Sequence, residues 1–418
     1  MPRLNVPVVD QSENLTMSHS EKGRFERRIP ELDGIRGVAI LTVVCFHYFK
    51  IPSSDGAWPA KVCNAILSFG WSGVDLFFVL SGFLIGGILI DNRHAQNYFK
   101  TFYIRRICRI FPLYYLWLAL YYLLPYLLPP GFLGVPPLSH GVLYFPKLGY
   151  VFFLQNFYRT GVSNFDGLWM GMTWSLAIEE QFYLFLPALL WFALPRKPFV
   201  WLIILILLVP VLRVVLFLFY SSLFIQFLLP SRADTLLIGV LCAYLVRQKS
   251  VRYRLGQNIK MLYALLVPLS LGMGYLISLG YGYSHMKVIN SFEMTTYGFT
   301  LIALFYACLL LIAIVDKTSV VARWLRIPLL RHFGVIAYGI YLFHTVIRQI
   351  ALQSIFGYDT SQATILSQNL LSVAAFFATW LVAMLSWRFF EGPIVRWGHS
   401  FRYPEKRPIE NNSEVPNR

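Results

Sequence analysis

Ten runs of mostly apolar residues set the frame for this chain: 33–51, 71–91, 102–128, 170–194, 198–220, 230–247, 258–281, 293–315, 332–355 and 366–390. Each has roughly the 20-residue length that a helix needs to cross the hydrocarbon of a bilayer. Charged residues make up only 13% of the chain, against about 25% in soluble domains. That excludes a disordered chain, a coiled coil and an ordinary soluble enzyme. The fold class expected is an all-α polytopic transmembrane helical bundle of about ten spans. Its parts are a cytoplasmic N-terminal tail (1–32), a transmembrane domain (33–391) and a cytoplasmic C-terminal tail (392–418).

The stretch 141–157, with Pro146 and Gly149, reads as an interfacial or re-entrant piece of a long loop. Its neighbours Phe132, Tyr144, Phe145, Tyr150, Phe165 and Trp169 read as an interfacial aromatic belt, or as platforms for sugar faces. The polar N-terminus lacks the pattern of a cleavable signal peptide. The five cysteines show no metal or redox spacing; only Cys63 falls in a loop expected outside, so no disulfide framework is expected.

The formal net charge is +16, but the basic residues are not pooled as a nucleic-acid surface requires. They sit in short loops on alternating sides. Of the 36 Lys and Arg, 26 fall in the tails and the loops on the tails' side and 5 in the opposite loops. By the positive-inside rule both termini are cytoplasmic. The sequons at Asn14 and Asn411 then lie on the inner side, where glycosylation does not reach them.

Ionisable residues inside spans are costly and point to function. Counting along the spans gives two sets. An outer set holds His47, Asp75, Glu179, Glu180, Arg232 and Asp234, with His344 and Arg348. An inner rim holds Arg36, Arg105, Arg106 and Arg109. Arg36 and His47 are eleven residues apart, three turns plus about 20°, so they share one helix face about 16 Å apart. A ligand touching both is long, anionic at one end and reactive at the other, a description that acyl-CoA fits; a positive-inside arginine and a packed histidine also fit.

Asp75 either orients the His47 imidazole or caps its own helix. Ser81 lies near the middle of the second run. Ser175 and Glu179, four apart, share a face; Glu179 either binds an acceptor hydroxyl, acts as acid or base, or pairs with Arg232 or Arg348. Arg105, Arg106 and Arg109 suit a phosphate as well as they suit topology. Arg213 stands alone in an apolar run and receives no role. No metal site is expected, because the histidines lack ligand spacing.

These residues fall in stretches that together resemble the acyltransferase-3 family of integral membrane acyltransferases: IPELDGIRGVAILTVVCFH (29–47), GVDLFFVLSGFLIGGIL (73–89), FYIRRICRIFPLYY (102–115), WSLAIEEQFYLFLP (174–187), SRADTLLIGVL (231–241), YGIYLFH (338–344) and FEGP (390–393). The family's basic residue and histidine with ten residues between them are matched by Arg36 and His47, and its Arg-x-x-Arg by Arg106 and Arg109. Its second-span acid is matched by Asp75 and the glutamate of its Trp-Ser-Leu motif by Glu179, with Glu180 ranked second.

The resemblance implies a catalytic His47 and an acyl-CoA donor, usually acetyl-CoA, used as co-substrate with no permanently bound cofactor. It implies O-acylation of a cell-surface glycan or glycoside, in the inner membrane of a bacterium. The short tail after the last span resembles the stand-alone branch, without the appended SGNH hydrolase-like domain. The partners expected are acyl-CoA, the glycan acceptor and the lipid bilayer, and no nucleic acid. The reading from the opposite class is a proton-coupled transporter or flippase of a lipid-linked or sugar substrate, since intramembrane Arg, His, Asp and Glu also build proton relays. Against it stands the lack of an internal repeat.

Overall fold

The computed structural model describes residues 29–49, 58–127, 147–158, 167–193, 198–220, 225–279, 289–357 and 364–404. Among them all regular structure is helical. In chain order the α-helices are α1 (Pro30–Tyr48), α2 (Trp58–Ser68), α3 (Gly73–Asp91), α4 (Tyr98–Leu127), α5 (Lys147–Val151), α6 (Gln155–Tyr158), α7 (Gly167–Met170), α8 (Trp174–Ala193) and α9 (Pro198–Phe219). There follow α10 (Leu229–Arg247), α11 (Lys249–Gln257), α12 (Ile259–Leu279), α13 (Phe299–Val315), α14 (Val320–Leu325), α15 (Pro328–Val335), α16 (Ala337–Phe356), α17 (Ile365–Ser386) and α18 (Gly392–Ser400). Single π-helical turns, Met294–Gly298 and Trp387–Glu391, lead into α13 and α18.

Every expected run coincides with a helix. Seven of the described helical stretches are long and apolar enough to cross a membrane, or eight if one bent pair counts as a span. The other two of the ten are α1 and α8. Each has spanning length, 19 and 20 residues, but α1 carries Glu31, Asp33 and Arg36, and α8 carries Glu179, Glu180 and Gln181. Glu31 and Asp33 are buried, and Arg36, Glu179 and Glu180 are partly buried, in keeping with the cost of intramembrane charge.

Three boundaries differ from the sequence reading. The second span is preceded by helix, so the apolar path runs Lys61–Asp91 and Cys63 lies exposed on α2 instead of in a loop. The ninth is broken, with α15 and α16 meeting at 77°. The last continues through the π turn to Ser400. The expected start of the C-terminal tail at 392 therefore falls inside a continuous helical path, and α18 packs on α4: Arg105 Nε donates to Phe401 O at 2.9 Å and Asn97 Nδ2 to Arg402 O at 2.9 Å.

The described part of 141–157 is two short helices, α5 and α6, joined by a turn at Phe153 (φ 56°). Its polar contacts turn inward, while Leu148, Phe152 and Phe157 are exposed. Tyr114 Oη donates to Tyr150 O at 2.8 Å, Gln181 Nε2 to Phe153 O at 2.7 Å and Asn156 Nδ2 to Phe227 O at 3.0 Å. Tyr150 and Trp169 are buried, Trp169 stacked on Trp117 at 4.5 Å, so these two belong to the core and not to a belt. Phe132, Tyr144, Phe145 and Phe165, the sequons at Asn14 and Asn411, and most of both tails lie outside the described residues.

Two close helix contacts position the site. α3 and α10 cross at glycines: a Cβ on Gly82 would overlap the carbonyl of Leu236, and one on Gly239 that of Val79. Small residues let backbones approach this closely inside a membrane, where apolar burial alone gives little drive to associate. α1 and α15 do the same through Gly37 and Gly334, α1 meets the end of α14 through Gly34, and Arg326 Nε bonds Glu31 Oε1 at 2.7 Å beside them. The Gly82→Leu variant is expected to lose about 1–3 kcal/mol or more through overpacking, read as a drop in monodisperse, detergent-solubilised protein. Gly274→Leu, at a position with nothing within 4 Å, is expected to leave the yield unchanged.

Candidate active site

The polar residues gather in three clusters, and the outer set of the sequence reading divides among all three.

The first surrounds His47, near the C-terminal end of α1. Nδ1 lies 2.8 Å from Val43 O, one turn earlier. That bond makes Nδ1 the protonated nitrogen of a neutral ring and gives Nε2 the lone pair. The His344 ring on α16 is 5.1 Å away, centroid to centroid, inclined at 63°. Tyr48 Oη donates to His344 O at 2.7 Å and lies 2.8 Å from Thr379 Oγ1. One turn beyond His344, Arg348 Nε donates to Ser372 Oγ at 3.1 Å. Ser175 is 2.8 Å from Tyr341 Oη, which donates in turn to Met172 O.

The second cluster is a pair of buried ion pairs. Arg213 makes two bonds to Asp234, 3.1 and 2.9 Å, and donates to Thr296 O and Ser231 O, both at 3.0 Å. Thr300 Oγ1 bonds Asp234 Oδ2 at 2.5 Å. Arg232 is ion-paired with Asp75 and its guanidinium lies 3.8 Å from the Phe299 ring centroid. All four charged side chains are almost wholly buried, at 0–1% exposure. Asp75 therefore does not orient His47: one oxygen belongs to Arg232 and the other has no hydrogen-bond partner. Val43 O takes the place expected for it. Arg213, which sequence reading left without a role, is the centre of this cluster. A lone intramembrane acid, Asp234, was the signal for it, because a buried charge requires a counter-charge.

The third cluster joins Glu179 to the arginines. Ser81 and Tyr183 bond each other and both bond the Glu179 carboxylate, Tyr183 Oη at 3.2 Å. Arg36 and Arg106 are close enough to act on Glu179 electrostatically, and Arg36, Arg106 and Glu391 act on Arg109. Glu180 feels Glu179 and Arg106, and its Oε1 is buried without a hydrogen bond. So Glu179 and Glu180 belong with the arginine end and not with His47. Neither Arg232 nor Arg348 is bonded to Glu179.

Arg36 itself bonds Asp33 Oδ1 at 3.2 Å and keeps a third of its side chain exposed. Arg109 lies over Trp387 at 5.0 Å. Arg105 is occupied by Phe401 O and the Tyr403 ring, so its guanidinium is the most committed of the three in its helix. Residues the sequence reading missed here are Glu391, in the π turn, with Ser386 at 2.9 Å on one oxygen, and His399, on α18 within the field of Arg105, Arg106 and Arg109. Glu391 stood inside a stretch already singled out, as a lone acid at the end of an apolar run. Among the described residues no three His, Cys, Asp or Glu side chains come together as metal ligands.

Taken together, α1 carries Arg36 toward one end, near Arg106 and Arg109 of α4, and the His47 imidazole at the other. The comparisons with known proteins agree in direction. A peptidoglycan O-acetyltransferase, OatA, of Listeria monocytogenes is 31% identical over 179 residues, 40% of this chain and 25% of that protein. An O-acetyltransferase, OatA, of Staphylococcus aureus is 27% identical over 399 residues, 90% of this chain and 59% of that protein. The chain thus spans between a quarter and three-fifths of the length of these curated relatives. No solved structure matches. The family model described as an acyltransferase domain matches residues 29–388, nearly the whole helical region, and the chain belongs to that family, the acyltransferase-3 family.

Proposed function

We propose that the chain is a membrane O-acyltransferase that moves an acyl group, acetyl in the first instance, from acyl-CoA to a hydroxyl of a cell-surface glycan or glycoside. The observation that carries this reading is the placement of Arg36 and His47 on one buried helix, with Arg106, Arg109 and Glu179 gathered at the Arg36 end. The donor's phosphates would meet Arg106, Arg109 and Arg36, for which guanidinium is the suited partner. Its thioester arm would run along α1 toward His47.

At that end the His47 Nε2 lone pair takes the proton of the acceptor hydroxyl as its oxygen attacks the thioester carbonyl. The C–S bond breaks and the proton passes to the departing CoA sulfur. An acyl-imidazole intermediate is the alternative order of the same bonds. The glycan acceptor is read from the Listeria relative, whose name gives peptidoglycan. The orientation follows from the charge split: ten spans, both termini cytoplasmic, the arginine end facing the cytosol and the histidine end facing out, in the inner membrane of a bacterium. The transporter alternative is not favoured, since the relatives are O-acetyltransferases.

Purified protein in nanodiscs with radiolabelled acetyl-CoA tests the reading. His47→Ala is expected to abolish label transfer and CoA release at unchanged protein level. Arg106→Ala with Arg109→Ala is expected to weaken donor binding at least tenfold. Turnover by the His47 variant at the wild-type rate overturns the mechanism, and donor binding unaffected by the arginine pair overturns the donor site. Asp75→Ala is expected to behave differently from both. It strands Arg232 as an uncompensated buried charge, at a cost of about 3–5 kcal/mol, so folded protein is lost before activity is measured. Replacing both partners, Asp75→Leu with Arg232→Met, is expected to recover folded protein.

A further inference from the structure

Among the described residues, His344 carries a buried ring nitrogen without a partner. It is fully buried. Its Nδ1 is placed against two backbone carbonyls of its own helix, Tyr341 O at 2.8 Å and Ile340 O at 3.1 Å. That nitrogen must carry the proton, since two carbonyls offer only acceptors. Nε2 is therefore a bare lone pair, and it has no hydrogen-bond partner. Leaving a buried acceptor unmade costs about 1–3 kcal/mol, and such a group asks for a reason.

The reason lies 5.1 Å away. The His344 and His47 rings meet near edge-on, at 63°. The two imidazoles are built alike, each with Nδ1 tied to the backbone of its own helix within one turn. In the neutral form of each ring the lone pair is then on Nε2. In the resting state a second neutral ring gains little from a bare lone pair beside it. Once His47 has taken a proton its ring is a cation, and a lone pair turned toward it from the fully buried His344 ring would be worth more there than in water. Asp75, at the right place in sequence, is bound to Arg232 instead. Arg348, one turn on from His344, is of the wrong sign and is directed to Ser372.

We propose that His344 is a positioning residue for the transfer: its Nε2 lone pair stabilises the positive charge His47 carries between taking the acceptor's proton and passing it to the CoA sulfur. It acts through His47 and, being wholly enclosed, needs no contact with either substrate. The inference rests on the reading of His47 as the group that takes the proton.

Two amides separate this role from a structural one. In place of His344, asparagine puts its amide N–H near the Nδ1 position and restores only the bonds to Tyr341 O and Ile340 O. Glutamine puts its amide oxygen near the Nε2 position and restores only the lone pair. The experiment compares His344→Leu, His344→Asn and His344→Gln with wild type and His47→Ala in nanodiscs, measuring kcat and KM for acetyl-CoA at equal amounts of monodisperse protein. The expected result is a 10- to 100-fold loss of kcat in the Leu and Asn variants with KM unchanged, and recovery to within a few-fold in the Gln variant. Recovery by asparagine and not by glutamine overturns the proposal, as does a Leu variant with wild-type kcat. If His47→Ala keeps its activity, the reading beneath it fails instead, and the two failures are told apart by that one control.

Discussion

Charge inside hydrocarbon is the constraint from which the rest of this structure follows. An arginine or aspartate alone at that depth is strongly unfavourable, so each must be met by a partner that some other helix supplies. Arg213 on α9 and Arg232 on α10 are met by Asp234 on α10 and Asp75 on α3, with Thr300 and the Phe299 ring of α13 completing the enclosure. Four helices are thereby fixed in rotation as well as in distance, because a bidentate guanidinium has a plane. That fixation is what apolar packing in lipid does not supply by itself. The glycine contact of α3 with α10 lies on the same pair of helices and follows from it: once the charges are aligned, the backbones close until Gly82 and Gly239 touch their neighbours.

α3 then hands the arrangement on. Its Ser81 reaches Tyr183 and Glu179 of α8, and Glu179 stands in the field of Arg36 and Arg106. Its other neighbour is α1, which carries Arg36 and His47. The ion pairs thus touch no part of the reacting centre and yet decide where both ends of it stand. This is the sense in which Asp75 matters: it holds a helix and leaves the histidine to the backbone.

The sequence showed the helices well and their partners poorly, and the difference is physical. Length and hydropathy are properties of one segment, so all ten runs appear as helices within a few residues. The interruptions were less visible. The 77° break at Ile336 comes from α15 lying across α1, a tertiary contact that leaves no local signal. The π turn at Trp387–Glu391 likewise extends a helix where a polar tail seemed to start. The rotation of each helix is set by pairings between segments far apart in sequence, 157 residues for Arg232 with Asp75. Depth counting is blind to it. It therefore put His47, Asp75 and Glu179 in one set, although they belong to three. The shared face of Arg36 and His47 is a relation within a single helix, and the helix period alone fixes it.

That single-helix relation also accounts for the firm hold that protein has on α1. A helix that serves as a ruler between an anion site and a base must not slide or roll against its neighbours. Membrane-facing surface gives no such resistance, whereas α1 presents very little of it. Eleven of its 19 residues are buried. Its N-terminal half is locked by the glycine contact with α15 and by Glu31 with Arg326; its C-terminal end is held by Tyr48, which bonds Thr379 of α17 and the backbone carbonyl of His344. Both anchors lie beside the groups whose separation they preserve. The low hydropathy of α1, a weakness for insertion into lipid, is the same property that lets protein grip it along its length.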